Sequence, residues 1–433
     1  MSGLSERDYN AHELAMTTPL QRTLDYTESF CVLLFAVAVF VWKPGIYVAS
    51  GLICLYLIVR TSVDGIFRQA MMASMLVKLS LGLYFIGLVT STFGAENIHD
   101  VAWMARKTLF LPVMVFFFFA LQRRINERIA MLGLITSFWV ASIVTLWEYD
   151  WQFQFGDRMQ GTWPLGTWDS LQGLFFPFMV LYICRHRQTL ATVTLYGLTT
   201  AMALIMLLLA GGRAPWLGAF IGLAIYFLIF RRNRKAMLGL ASVVVIVGTM
   251  SLTVLQDKVQ PVIERFSSIT ETQTNASNWI RLRLWDIGGQ QLVHFAKNNP
   301  ASFAFGGGAL SYDQKQIEFF KTLPYDAADR MRLQEYGYPT GDTHNTYIDN
   351  ALRHGVLWTV LSTLYLIWLC TRLNWRYVQR NPEPSILLVG LLVVGMFYTM
   401  VPHFATFFFV LFVAILMDKC KKGIIDRNRA KDH

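Results

Sequence analysis

The chain has 433 residues, 54% of them hydrophobic, and its mean hydropathy of +0.41 exceeds that of an ordinary soluble domain. The formal net charge is +10 at pH 7, but the cations lie in short clusters between apolar runs, so the charge does not indicate a nucleic-acid partner. The five cysteines lie in or beside the apolar runs, which argues against a disulfide framework and a cysteine-based metal site. The composition therefore predicts an all-α polytopic membrane protein.

Long apolar runs follow a polar stretch at residues 1–28, which lacks the pattern of a cleaved signal peptide. Most runs approach the roughly 20 residues that cross a bilayer as a helix. The first two are short and joined only by Lys43 and Pro44, so they are either two spans or one re-entrant unit, and we expect about twelve membrane helices in total. The runs are 29–42, 45–60, 71–92, 104–121, 129–147, 170–184, 189–210, 214–230, 236–255, 355–371, 384–400 and 402–418.

The positions of Lys and Arg assign the two membrane faces, because cations in short loops resist translocation. When the runs are threaded in order, the basic clusters fall on one face, and the connections at 93–102, 148–169 and 401–405 on the other face contain only Arg158. We therefore predict cytoplasmic tails at 1–28 and 419–433, membrane helices at 29–255 and 355–418, and one large outer loop at 256–354. The clusters are Arg123, Arg124 and Arg128; Arg185 and Arg187; Arg231, Arg232, Arg234 and Lys235; Arg372, Arg376 and Arg380; and the basic tail after residue 418.

The outer loop is the one long segment that contains no predicted membrane span. Apolar residues at helical spacing predict a helix over 279–298 that ends at Asn299 and Pro300, and 313–336 is a second, charged helical stretch. Phe305 and the glycines of 306–308 predict a flexible loop between them. We expect a mostly helical loop that forms the only soluble subdomain.

His344 is the first candidate for chemistry, because it stands where the outer loop enters a helix. An imidazole near the positive end of a helix dipole has its protonated form disfavoured, which suits a general base. The alternative is a histidine that merely caps the helix or bonds a neighbouring carbonyl.

Arginines near the same face are candidates for binding an anion. Arg213 follows two glycines at the start of a span and can hold a diphosphate with its guanidinium fork, or it can contact lipid phosphate instead. Arg281 and Arg283 are two residues apart and cannot share a helix face, so one can point at a ligand while the other pairs with an acid such as Asp286.

Three further cations are weaker candidates. Arg106 and Lys107 lie near the outer end of a span, where charge is costly, although snorkelling also explains them. Arg265 lies in a polar helix with no motif around it. The sequence contains no Asp-x-Asp, His-Glu-x-x-His, P-loop or Gly-x-Ser-x-Gly motif, so it does not indicate a metal-dependent nucleotide-sugar enzyme, an ATPase or a serine hydrolase.

Three local motifs on the predicted outer face resemble motifs of the O-antigen ligase and polymerase superfamily, and within it of the lipopolysaccharide O-antigen ligases. Their order along the chain is also similar. The segment 209–214 (LAGGRA) resembles the family's arginine at an outer helix end. The segment 281–288 (RLRLWDIG) resembles its second arginine, with Arg281 the better match. His344-Asn345 followed by Gly355 resembles its His-Asn signature, and the topology with a single large late loop is similar over the whole chain.

The resemblance implies a GT-C-like inverting glycosyltransferase of the bacterial inner membrane that needs no metal or other cofactor. The donor would be an O-antigen glycan on undecaprenyl diphosphate, and the acceptor a hydroxyl of the lipid A-core oligosaccharide. His344 would be the general base at the periplasmic face, and Arg213 and Arg281 would stabilise the departing diphosphate. Arg265, Arg283, Arg106 and Lys107 would be secondary ligands of the diphosphate or the lipid.

Other functions remain open at this point. An O-antigen polymerase or a protein O-oligosaccharyltransferase of the same superfamily would use similar chemistry on another acceptor. The single large loop favours the ligase over the polymerase. A lipid-linked glycan flippase or another transporter is an alternative from a different class, although it would show internal repeats and charges through a central cavity.

Overall fold

The computed structural model describes residues 18–151, 158–185, 189–230, 276–335, 342–398 and 404–417. Within these ranges every regular element is a helix. The predicted span at 236–255 and Arg265 lie outside the described residues, so the number of spans and the domain boundaries remain predictions. The polytopic helical architecture itself is present.

The helices fall into three groups along the chain. Before residue 231 they are α1 (Pro19–Val41), α2 (Lys43–Val63), α3 (Gly65–Ala73), α4 (Met75–Gly94), α5 (Ile98–Lys107), α6 (Phe110–Ala120), α7 (Arg124–Glu148), α8 (Leu165–Arg185), α9 (Leu190–Ala210) and α10 (Arg213–Ile225), which continues as a π-helical turn (Tyr226–Phe230). The second group is α11 (Ala276–Asn298), α12 (Pro300–Phe305), α13 (Tyr312–Thr322) and α14 (Ala327–Glu335). The third is α15 (Thr346–Thr371), α16 (Trp375–Arg380), α17 (Glu383–Gly395) and α18 (Phe404–Leu416).

Eight helical segments in the described part of the chain are long and apolar enough to cross a membrane. They are α1, α2, α4, α5 together with α6, α7, α9, α10 with its π turn, and α15. Helices α17 and α18 are apolar but have only 13 residues each. The first two predicted spans are separate helices of 23 and 21 residues, because polar residues extend each helix beyond its apolar run. Each of the two helices is therefore long and apolar enough to be a span of its own.

Helix α8 lies at the centre of the membrane helices and is buried along almost its whole length. It packs against α9, α10, α17 and α18. The Phe175 ring lies 4.8 Å from the rings of both Phe40 and Phe138, and Phe178 stacks on Phe412 at 4.6 Å. Dense ring packing of this kind holds helices together where lipid provides no hydrophobic driving force.

The second group of helices, which we call the α11–α14 segment, has a small core of its own. Ile280, Leu284 and Ile287 on α11 pack with Phe320 of α13 and with Leu333 of α14. A second contact set joins α11 and α13 to α15 through Phe295, Tyr312 and Leu352. The segment is therefore an ordered unit that packs against the beginning of α15.

The glycines of 306–308 dock the α11–α14 segment onto the membrane helices. Gly306 and Gly308 have φ of +91° and +94°, and all three glycines are buried. A side chain at Gly306 would overlap the Arg353 backbone, and the Gly307 N–H donates to the Leu352 carbonyl at 2.7 Å. The predicted flexible loop is therefore a packed connection, because Gly306 and Gly308 allow a backbone approach that a Cβ would block.

A buried carboxylate on α5 supports the same junction. Asp100 is fully buried and accepts the backbone N–H groups of Leu310 at 2.5 Å and Ser311 at 3.2 Å. It also accepts the Ser311 hydroxyl at 2.6 Å. These bonds satisfy a fully buried carboxylate, so they fix the segment to α5.

Contacts between helix termini define two ends of the bundle. At one end, Trp163 donates to the Val39 carbonyl at the C-terminus of α1 at 2.9 Å. At the other end, Glu28 near the start of α1 accepts from Tyr56 and Asn126, both at 2.7 Å. The basic residues Arg123 and Arg185 of the predicted cytoplasmic clusters lie at the second end, whereas the residues described next lie at the first.

Candidate active site

Arg158 and Asp169, which are 11 residues apart, form one hydrogen-bonded group with the distant Tyr398 at the start of α8. Asp169 is fully buried, and its Oδ2 accepts from Arg158 Nη2 at 2.9 Å and from the Tyr398 hydroxyl at 3.2 Å. Arg158 Nη2 also lies 3.1 Å from the Tyr398 hydroxyl oxygen. Burial alone would lower the pKa of Arg158, but Tyr398 and Asp169 outweigh it and hold that pKa above its ordinary value. We call these three residues the Asp169 group.

Arg213 is placed beside the Asp169 group by the turn between α9 and α10. Gly211 ends α9 with a φ of +69°, in the left-handed region that favours glycine. A Cβ on Gly212 would lie 2.5 Å from Asp169 Oδ2, so only glycine allows this close approach. Arg213 is the first residue of α10 and is partly buried.

Arg281 approaches the same group from α11. Burial lowers the pKa of Arg281, Tyr398 opposes that shift, and the nearby positive charge of Arg158 adds to it. The guanidinium stays protonated, because an arginine starts far above neutral pH. Arg158 and Arg281 both lie near Tyr398, so two guanidinium charges are concentrated at this end of the bundle.

Arg283 points elsewhere. It lies 3.8 Å from the Asp329 carboxylate on α14 and stands over the Trp279 ring at 5.7 Å. The two arginines of α11 thus diverge as predicted, but the acid that pairs with Arg283 is Asp329. Asp286, the expected partner, instead accepts from Gln290 at 3.0 Å and Tyr325 at 3.1 Å.

His344 lies in the turn just before α15 and has a φ of +52°. Its Nδ1 is 2.8 Å from Asp342 Oδ1, and its backbone N–H donates to the same oxygen at 3.0 Å. The helix cap is the next residue, Asn345, whose Oδ1 accepts the N–H groups of Tyr347 and Ile348. His344 is therefore not the helix cap, because Asn345 has that role.

The start of α15 is tied directly to the Asp169 group. Asn345 Nδ2 donates to the Met396 carbonyl at 3.3 Å, and the Thr346 hydroxyl donates to the Tyr398 carbonyl at 2.5 Å. His344 therefore lies two residues from a side chain that bonds the backbone of Tyr398. The elements that carry Arg213, Arg281 and His344 therefore converge on the Asp169 group.

Arg106 and Lys107 lie at the C-terminus of α5, over aromatic rings. Arg106 stands 5.4 Å from the centre of the Tyr47 ring, and Lys107 stands 4.9 Å from that of Phe404. The Phe404 ring also packs on Trp163 at 4.7 Å, so these cations are at the same end of the bundle as the Asp169 group. Cation–π contacts of this kind hold a charge in place at a membrane surface.

The sequence reasoning missed Asp169 and Tyr398 and gave Arg158 no role. One signal was available, since Arg158 is the only cation in the predicted outer connections at 93–102, 148–169 and 401–405. In the part of the chain that the structure describes, no three His, Cys, Asp or Glu side chains come together as a metal-ligand set. The chemistry that this end of the bundle offers is therefore that of guanidinium groups, one imidazole and two nearby carboxylates.

Comparison with protein families gives one match. Residues 198–362 match the family model described as O-antigen ligase. The matched segment contains Arg213, Arg281 and His344, whereas the Asp169 group lies outside it. A comparison with curated proteins found no match. Over residues 198–362, the chain is therefore similar to the O-antigen ligase family.

Proposed function

We propose that the chain is an O-antigen ligase, which transfers a glycan from undecaprenyl diphosphate to a hydroxyl of the lipid A-core oligosaccharide. The observation that carries the proposal is that the elements of Arg213, Arg281 and His344 converge on the Asp169 group at one end of the helix bundle. Guanidinium forks match the oxygens of phosphate groups. A donor with an isoprenoid tail would reach such a site from the bilayer.

The proposed step is a single displacement at the anomeric carbon of the donor sugar. His344 removes the proton from the acceptor hydroxyl, and the hydroxyl oxygen forms the new glycosidic bond. The bond between the anomeric carbon and the diphosphate oxygen breaks, its electron pair stays on that oxygen, and the configuration inverts. Arg213 and Arg281 stabilise the charge that develops on the diphosphate, a task that a divalent cation has in metal-dependent enzymes.

The secondary cations have different relations to this site. Arg283 is engaged with Asp329, so we expect it to contribute little to the reaction. Arg106 and Lys107 are placed to attract the lipid-linked diphosphate at the membrane surface. We place the protein in the bacterial inner membrane with this end at the periplasmic face, and Arg265 remains a prediction from the sequence.

The test is transfer by the purified protein in detergent, with an undecaprenyl-diphosphate glycan as donor, lipid A-core as acceptor, and no nucleotide. We expect glycosylated lipid A-core from the wild type and from Arg283→Lys, and none from His344→Ala. Elongation of the donor glycan would instead indicate a polymerase. Glycosylation of an added protein would indicate an oligosaccharyltransferase.

A transporter is tested by a second assay on the same protein, reconstituted in vesicles with a fluorescent lipid-linked glycan. If the lipid crosses the vesicle membrane while no transfer is detected in detergent, the proposed ligase function is wrong. Transfer without lipid movement supports it.

A further inference from the structure

We propose that Asp342 is a positioning residue for His344: its carboxylate holds the imidazole with the proton on Nδ1, so that Nε2 is the atom that accepts the proton of the attacking hydroxyl. This inference rests on the proposed function, in which His344 is the general base. It concerns a residue outside the three matched motifs.

The geometry gives Asp342 two contacts with one residue. Oδ1 accepts the backbone N–H of His344 at 3.0 Å and lies 2.8 Å from Nδ1 of its ring. Since a carboxylate can only accept, the short contact with a neutral imidazole requires the proton to be on Nδ1. Nε2 then carries the free lone pair.

The backbone conformation explains why such support is needed. His344 has a φ of +52°, which a residue other than glycine rarely adopts. On one side of it Thr343 is fixed by its N–H bond to buried Asp349, at 2.9 Å, and on the other Asn345 is fixed as the cap of α15. The Asp342 carboxylate bonds the backbone between these anchors, so it sets both the turn and the direction of the ring.

The charge of Asp342 also matters during the reaction. The imidazole is neutral before the step and carries a positive charge after it takes the hydroxyl proton. A neutral hydrogen bond to Asp342 therefore becomes a charge-assisted one as the proton arrives. Only an interaction that is stronger in the transition state than before the step accelerates the reaction. The charged carboxylate of Asp342 provides such an interaction, whereas a neutral amide does not.

Two substitutions separate orientation from charge. Asp342→Asn keeps an oxygen that can accept from Nδ1 but removes the charge, and we expect kcat to fall about 10-fold. Asp342→Ala removes both, and we expect a fall of about 100-fold, within the range of general-base effects. His344 and Asp342 have side chains 50% and 37% exposed, so neither substitution should unfold the protein.

Asp326→Asn is the matched control. Asp326 is another exposed carboxylate in the part of the chain after α13, and its Oδ1 accepts the backbone N–H of Asp329 at 2.7 Å. Its substitution removes the same charge and weakens the same kind of local bond. We expect wild-type transfer from this variant.

The decisive readout is the tautomer of His344, observed by ¹⁵N NMR of histidine-labelled protein with His344→Gln as the assignment control. We expect the Nδ1–H form in the wild type and in Asp342→Asn. In Asp342→Ala the Nε2–H form, which free histidine prefers, should become the major one. A structural role alone would not exchange the two nitrogens.

Two results would overturn the proposal: an Nε2–H tautomer in the wild type, or wild-type kcat in Asp342→Ala while His344→Ala is inactive. The second result leaves the proposed function intact. Full activity in His344→Ala would instead remove the general-base assignment itself, so the two failures are distinguishable.

Discussion

The ion pair between Arg158 and Asp169 can be tested with a double-mutant cycle of Arg158→Gln and Asp169→Asn. The Asp169 side chain is 0% exposed and the Arg158 side chain 37% exposed, at a distance of 2.9 Å. Removing the arginine takes the ion-pair partner away from a buried carboxylate, which costs roughly 3 kcal/mol, at the lower end of the range for broken buried pairs because Tyr398 still donates.

Removing the aspartate costs less, about 1–2 kcal/mol, since the Arg158 guanidinium can turn toward solvent. The double variant has neither charge and should lose roughly 3 kcal/mol, so the two single effects should exceed the combined effect by about 1–2 kcal/mol. The assay is the free energy of unfolding in mixed detergent micelles, measured by SDS titration for the four proteins. Single effects that add to within about 0.5 kcal/mol would refute a coupled ion pair.

The remaining predictions concern the arginines and the docking of the α11–α14 segment. Arg213→Lys and Arg281→Lys should each lower the transfer rate at least about 10-fold, because a lysine loses the bidentate fork, and Arg283→Lys should stay near wild type in the same assay. Equal losses in all three variants would argue against specific binding. The Asp100 carboxylate accepts three hydrogen bonds from the connection before α13, and Asp100→Asn removes its charge. Limited proteolysis should therefore cut the α11–α14 segment faster in this variant while the membrane helices stay intact. Gly306→Ala, at a φ of +91°, should accelerate the same cleavage, and unchanged cleavage rates in both variants would contradict the docking described above.

The membrane helices were predictable from the sequence because hydropathy and helix length are local properties. The apolar runs located the helices, but their ends were misjudged where polar residues continue a helix, as in α1 before residue 29. Breaks inside the runs were also missed, since Ser74 and the Thr108–Leu109 pair interrupt the helix without proline or glycine.

The candidate site was predictable only in part. Arg213, Arg281 and His344 stand in short local motifs, so a resemblance can find them. Asp169 and Tyr398 stand in no motif, and their importance arises from packing between residues 229 positions apart. A single acid at the edge of an apolar run has the same local appearance whether it faces solvent or a buried arginine, so only the tertiary structure distinguishes the two.

The most direct test of the proposed site is a cryo-EM structure of the protein with an undecaprenyl-diphosphate glycan bound. We expect the diphosphate to contact the guanidinium groups of Arg213 and Arg281, with the anomeric carbon facing Nε2 of His344 across an open acceptor cleft. A diphosphate bound at Arg106 and Lys107 instead, with His344 turned away from the sugar, would contradict the proposed site and mechanism.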